Sequence, residues 1–206
     1  MLRGGLVFLG VVVALTACNG DAGEKSTRAE GSEAVSRPLT YAQVTRVGEN
    51  TPAGAVLKLW FWAQWGSAPN VVAMYDRRVV QSLGARNISG VYSWLRGTLV
   101  ELRPRIVGDI RARRNRAFIA VEARAAGSDP ARYAFLLRRT GEGWVVIHDT
   151  LLQDSLPQYV AFKIDGQTRS NPSRRARVEG ERLAERYRDL FPDTNARVPS
   201  TARSGR

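Results

Sequence analysis

The chain has 206 residues, a formal net charge of +12, 44% hydrophobic residues, one cysteine and one histidine. A single thiol excludes an internal disulfide framework, so the fold must rest on an apolar core, and the length suffices for one of ordinary size. The charge is carried almost wholly by arginine, a skew that codon bias in a GC-rich genome would produce and that attraction to anionic partners would also explain; no RNA- or DNA-binding motif accompanies it, so nucleic acid is not expected among such partners.

At the start of the chain, Arg3 precedes the apolar run Leu6–Leu15, which is followed by Thr16-Ala17-Cys18. As a helix, Leu6 to Ala17 would span ~18 Å, well short of the ~30 Å hydrocarbon core of a bilayer. A positive start, a short apolar core and small residues before a cleavage point form a secretory signal. Leu15-Thr16-Ala17-Cys18 resembles a lipobox, the lipidation signal of bacterial lipoproteins. The resemblance implies cleavage before Cys18, acyl chains on Cys18 and anchoring at the extracytoplasmic face of the cell membrane. Residues 1–17 are thus expected to be a signal peptide. Residues 18–45, rich in Gly, Ser, Ala and Glu at their start, are expected to be a flexible tether.

The globular region is expected over residues 46–163. Thr51 can cap a helix that begins at Pro52, runs through Trp60, Phe61, Trp62 and Trp65, and stops at Gly66. A short second helix follows Ser67 and ends near Tyr75-Asp76. Arg78–Leu83 reads as a brief strand, and Ile88–Leu99 as a third helix with Val91, Trp94, Leu95 and Thr98 on one face. From Pro104 the period changes to two. Turn residues at Arg113–Arg116, Gly127–Pro130 and Thr140–Gly143 divide the stretch to Leu152 into a four-stranded antiparallel meander. A short helix at Leu156–Phe162 closes it. Residues 164–206 are expected to hold a polar linker, an amphipathic helix from Arg174 to Phe191 and a disordered basic tail.

The element order gives an α+β class. It resembles the nuclear transport factor 2-like superfamily, with its polyketide-cyclase-like and ketosteroid-isomerase-like domains. The aromatic first helix, the Met74-Tyr75-Asp76 step and the closing Gly143-Trp144-Val145-Val146 strand carry this likeness. The resemblance implies a cone: N-terminal helices packed on a curved antiparallel sheet. It also implies that an enzyme of this kind would use an Asp or His inside the cone beside a polar partner.

The candidates for that chemistry are His148, Asp149, Asp76 and Tyr75. In a regular strand, His148 would share a face with Trp144 and Val146, and Asp149 the opposite face with Val145 and Ile147. Asp76 could be a base beside the Tyr75 phenol, or a cap for the turn that follows it. Trp62, Trp65 and Trp94 could line an apolar ligand pocket or fill the core. Arg111, Arg113, Arg114 and Arg116 form a basic hairpin tip suited to an anionic surface. The amphipathic C-terminal segment could dock on a membrane or partner protein, or pack on its own domain. No metal-ligand spacing, phosphate loop or nucleophile elbow is present, so no metal or cofactor is expected.

These features point to a membrane-anchored envelope lipoprotein whose domain binds a partner protein or an apolar ligand without catalysis. The alternative is a small-molecule isomerase, dehydratase or cyclase.

Overall fold

The computed structural model describes residues 38–113, 115–166 and 171–190. Packing begins earlier than residue 46. Leu39 is buried, and Tyr41–Val47 form helix α1, with Val44 fully enclosed and the Gln43 side chain accepting from the Thr40 amide at 2.8 Å. One buried residue in seven leaves too little periodicity to announce this helix from sequence.

Helix α2, Pro52–Trp65, has the boundaries its sequence dictates. Thr51 Oγ1 accepts from the Gly54 amide at 3.0 Å, and Gly66 adopts a left-handed φ of 74° at the other end. Ala55, Val56, Leu59, Trp60 and Ala63 are buried, making this the central helix. At Gly54 a Cβ would lie 2.0 Å from the Gly48 carbonyl oxygen, so only glycine fits beneath the preceding turn.

Helix α3, Ala68–Ala73, leads to Tyr75, which bridges in parallel to Val146. Arg77–Leu83 is not a strand but helix α4. Asp76 Oδ1 caps it by accepting from the Arg78 amide at 2.9 Å, and Val79 and Leu83, four residues apart, are its buried positions. The cap and this spacing outweigh the strand preference of the Val79-Val80 pair. Helix α5, Ala85–Glu101, buries Ile88, Val91, Tyr92 and Leu99, whereas Thr98, expected on one face with Val91, is exposed.

Strands β1 (Arg103–Arg113), β2 (Arg116–Arg124), β3 (Ala131–Thr140) and β4 (Gly143–Asp149) form an antiparallel sheet in the order β1-β2-β3-β4. On β2, Ala117, Ile119, Val121 and Ala123 alternate inward, and Ile119 and Ala117 pair with buried Phe135 and Leu137 of β3. Helix α2 contacts β1, β2 and β4. The architecture is therefore α+β, with helices packed on an open four-stranded antiparallel sheet.

Two further elements extend the domain. Helix α6 covers Thr150–Asp165, longer than Leu156–Phe162, because Asp149 ends β4 and caps the helix at once. Helix α7, Arg174–Asp189, is capped by Ser173 and packs on α6. A Cβ at Gly180 would lie 2.8 Å from Pro157 Cα, so the two helices meet there nearly backbone to backbone. The compact region thus runs past residue 163 to the end of α7. Cys18, the residues up to 37 and the basic tail lie outside the described residues.

Candidate functional site

The site is built around an irregularity in β4. Val146 pairs with Leu137, but His148 pairs with Leu136 and Asp149 with Phe135, so two residues of β4 stand against one step of β3. Such a bulge inverts the side-chain alternation beyond it. Asp149 therefore shares the face of Val146, Leu137 and Phe135, and His148 takes the opposite one, the reverse of a regular strand.

Asp149 is completely buried. Its Oδ1 accepts from the Leu152 amide at 2.6 Å, which starts α6. Its Oδ2 accepts from Tyr75 Oη at 2.7 Å and from Tyr187 Oη at 3.3 Å. The Asp149 amide donates to Tyr187 Oη at 2.8 Å. Tyr75 Oη also lies 2.7 Å from Tyr92 Oη, and since the Tyr75 proton goes to the carboxylate, Tyr92 donates to Tyr75. Four elements thus converge: Tyr75 from the step after α3, Tyr92 from α5, Asp149 from β4 and Tyr187 from α7. The step itself is clamped to β4 by the Val146 amide on the Met74 carbonyl at 2.8 Å and the Asp76 amide on the Val146 carbonyl at 2.9 Å.

Burial pushes the Asp149 carboxyl up to about 6, against the pull of the hydrogen bonds from Leu152, Tyr75 and Tyr187. Burial, with the neighbouring carboxylate, holds Tyr75, Tyr92 and Tyr187 well above the ordinary phenol range, so all three remain donors at neutral pH. His148 is 5% exposed and stacks on Tyr187, with centroids 5.0 Å apart and planes 25° from parallel. Burial, reinforced by Arg188, lowers it to about 4, which leaves the imidazole neutral near pH 7.

The other sequence candidates are placed elsewhere. Asp76 does not partner Tyr75; its side chain turns away to cap α4 and to pair with Arg138 of β3, whose Nε donates at 2.9 Å. Trp65 is not inner lining, and Trp62 lies half-buried at the edge of the core. They belong to an outer cluster with Tyr41 and Phe61, and Trp65 is 56% exposed. Trp94 lies half-buried against Tyr159 and Phe162. The inward tryptophan is Trp60, 2% exposed, against Tyr133, with its indole N–H unpartnered. Arg116 is exposed at the hairpin, while Arg114 and the side chains of Arg111 and Arg113 lie outside the described residues.

Helix α7 has turned its apolar face inward: Ala176, Leu183, Ala184 and Tyr187 are buried, so that face is not available for docking. Sequence reasoning missed Tyr92 and Tyr187 as members of the polar cluster. The available signal was Asp149 itself, since a carboxylate buried in a strand requires several donors. Also missed is a shallow cleft of about 350 Å³ at the edge of β1 and β2, lined by Arg103, Arg105, Glu122 and Arg124. There Glu122 stands between Arg105 at 3.3 Å and Arg132 at 3.6 Å.

Chemically, the cluster can hold a proton on Asp149 and fix four elements in register. Among the described residues, no group of three His, Cys, Asp or Glu side chains could hold a metal ion, and no helix is long and apolar enough to cross a membrane. Comparison with protein-family models, with curated proteins and with solved structures finds no match for the chain.

Proposed function

We propose that the chain is a lipoprotein anchored through Cys18 at the extracytoplasmic face of the membrane, and that its domain is a binding module rather than an enzyme. In this reading the α+β fold is a nuclear transport factor 2-like cone whose interior polar group serves architecture. The observation that carries it is the enclosure of Asp149. A general acid or base must reach a proton on its substrate, within hydrogen-bond distance or through one water. Asp149 has no exposed surface, and its oxygens accept from Leu152, Tyr75 and Tyr187. His148 is neutral, nearly buried and stacked on a phenol.

One observation favours the enzymatic alternative. A carboxyl raised to about 6 beside a tyrosine donor is the chemistry an isomerase or cyclase of this fold class would use. Such an enzyme would have to open a path to Asp149 past Tyr187 of α7.

Two measurements test the proposal together. Cys18→Ala should shift the chain from the membrane to the soluble fraction, because two or three acyl chains anchor stably and their loss leaves no equivalent. Undiminished membrane association would refute the anchor. Protein recovered from its native membrane should bring a specific protein or apolar molecule with it, and Asp149→Asn should leave that association intact. Loss of the association in a folded Asp149→Asn variant would favour the enzymatic alternative.

A further inference from the structure

The outer aromatic cluster has an unusual position. Tyr41 of α1 and Phe61 of α2 pack edge to face with centroids 5.3 Å apart, and Trp62 lies 4.7 Å from Phe61. Trp65, at the end of α2, lies 5.9 Å from Phe61 and is the most exposed large apolar side chain among the described residues. Phe61 and Trp62 are half-buried against the core while Tyr41 and Trp65 are exposed, so the contiguous rings leave an apolar surface that water solvates poorly.

Two neighbouring features suggest what covers it. Trp65 Nε1 donates to the Leu39 carbonyl at 3.1 Å, so the cluster holds the point where the chain enters the domain. The path from Cys18 to Pro38 is 20 residues long. That number of residues spans at most ~70 Å whatever its conformation, so an anchor at Cys18 holds this corner within that distance of the bilayer and raises its effective concentration there. The second feature is charge. Arg96 donates from Nε to the Gln64 carbonyl at 3.1 Å and lies over Gly66, placing an exposed cation next to Trp65. The nearby acid Glu49 is already paired with Lys58 at 3.4 Å. Tryptophan and tyrosine partition into the headgroup region, and arginine adds affinity for lipid phosphates.

We infer that the Tyr41–Phe61–Trp62–Trp65 corner, with Arg96, rests on the headgroup region of an anionic bilayer and fixes the orientation of the domain there. This inference rests on the Cys18 anchor. It adds that the domain lies against the lipid surface by one defined corner instead of swinging freely.

The test uses the full chain reconstituted into phosphatidylglycerol–phosphatidylethanolamine vesicles whose acyl chains carry bromine close to the headgroups. Tryptophan emission should be quenched, and Trp65→Phe should reduce that quenching by at least about half, because Trp65 is the ring nearest the lipid. Trp94→Phe should leave it unchanged. Far-ultraviolet circular dichroism establishes that both variants are folded. Quenching that does not depend on Trp65 would overturn the inference. So would a Trp65 already shielded from acrylamide without lipid, which would mean that this chain, a second copy or a protein partner covers the corner.

The anchor fails separately, if the wild-type chain does not float with the vesicles. In that case the chain is added to excess vesicles, and the same Trp65-dependent quenching decides whether the corner binds lipid by itself.

Discussion

Tyr187→Ala is expected to lower the unfolding free energy by ~3–5 kcal/mol from lost packing, because a fully buried aromatic ring leaves a cavity that helix α7 cannot close. A further ~1–3 kcal/mol follows from orphaning the Asp149 amide, which donates to Tyr187 Oη at 2.8 Å. The sum is comparable to the ~5–15 kcal/mol by which a domain is normally stable, so the variant should be at best partly folded at 37 °C. Denaturant unfolding measures the effect, and Tyr187→Phe separates its parts by removing the hydroxyl while keeping the ring. A loss below ~1 kcal/mol in Tyr187→Ala would mean that α7 is a dispensable surface helix, contrary to its packing against α6 and α4.

Asp149→Ala should cost ~2–4 kcal/mol at neutral pH. The Leu152 amide loses the cap of α6, and the hydroxyl proton of Tyr187 loses its acceptor. Against these losses stands a gain, since the variant no longer carries a carboxylate that burial disfavours. Tyr75 still accepts from Tyr92 at 2.7 Å although its own proton, like that of Tyr187, loses the carboxylate, and the backbone amide at position 149 keeps Tyr187, so the network is weakened rather than dismantled. The same unfolding assay reads the result. A neutral or stabilising substitution would show that the carboxyl is not the hub joining these four elements.

Much of the scaffold was legible because local and global signals agree in it. Thr51, Pro52 and Gly66 fix both ends of α2, and its apolar sequence places it centrally. The two-residue period after Pro104, broken by turn residues, defines the meander. The failures have equally specific causes. In Arg77–Leu83 two valines favour a strand, but the outcome is decided by Asp76, a cap that has meaning only once the chain turns there. The bulge in β4 has no signature in Trp144–Asp149, yet it decides that Asp149 and not His148 faces the inner residues of β3.

Helix α7 is the hardest case. It is rich in arginine and glutamate, and the stripe it buries consists of Ala176, Gly180, Leu183, Ala184 and Tyr187. Only Leu183 and Tyr187 are large. The small residues work because Gly180 lets the helix approach the backbone of α6 at Pro157, a complementarity that exists only between the two folded helices. The polar cluster was half visible: Tyr75 and Asp149 were candidates, but not for each other, and Tyr92 and Tyr187 arrive from elements distant in sequence.

The central claim, that Asp149 is sealed inside the fold as a structural acid, is tested most directly by the pH dependence of stability of Asp149→Asn relative to the wild type. Folding raises this carboxyl from 3.8 to about 6, so between those values the folded chain holds a proton that the unfolded chain has released. Wild-type stability from this group is therefore greatest at low pH and falls as pH rises through the window. His148, lowered from 6.5 to about 4, acts in the opposite sense over nearly the same range and would mask the slope in the wild type alone. Because His148 is present in both chains, the difference between them isolates Asp149. The stability of Asp149→Asn minus that of the wild type should climb by ~3 kcal/mol between about pH 4 and 6 and level off above, at ~1.4 kcal/mol per pH unit. A difference that stays flat across that range would mean that folding leaves the Asp149 carboxyl at its ordinary value, and would contradict the account.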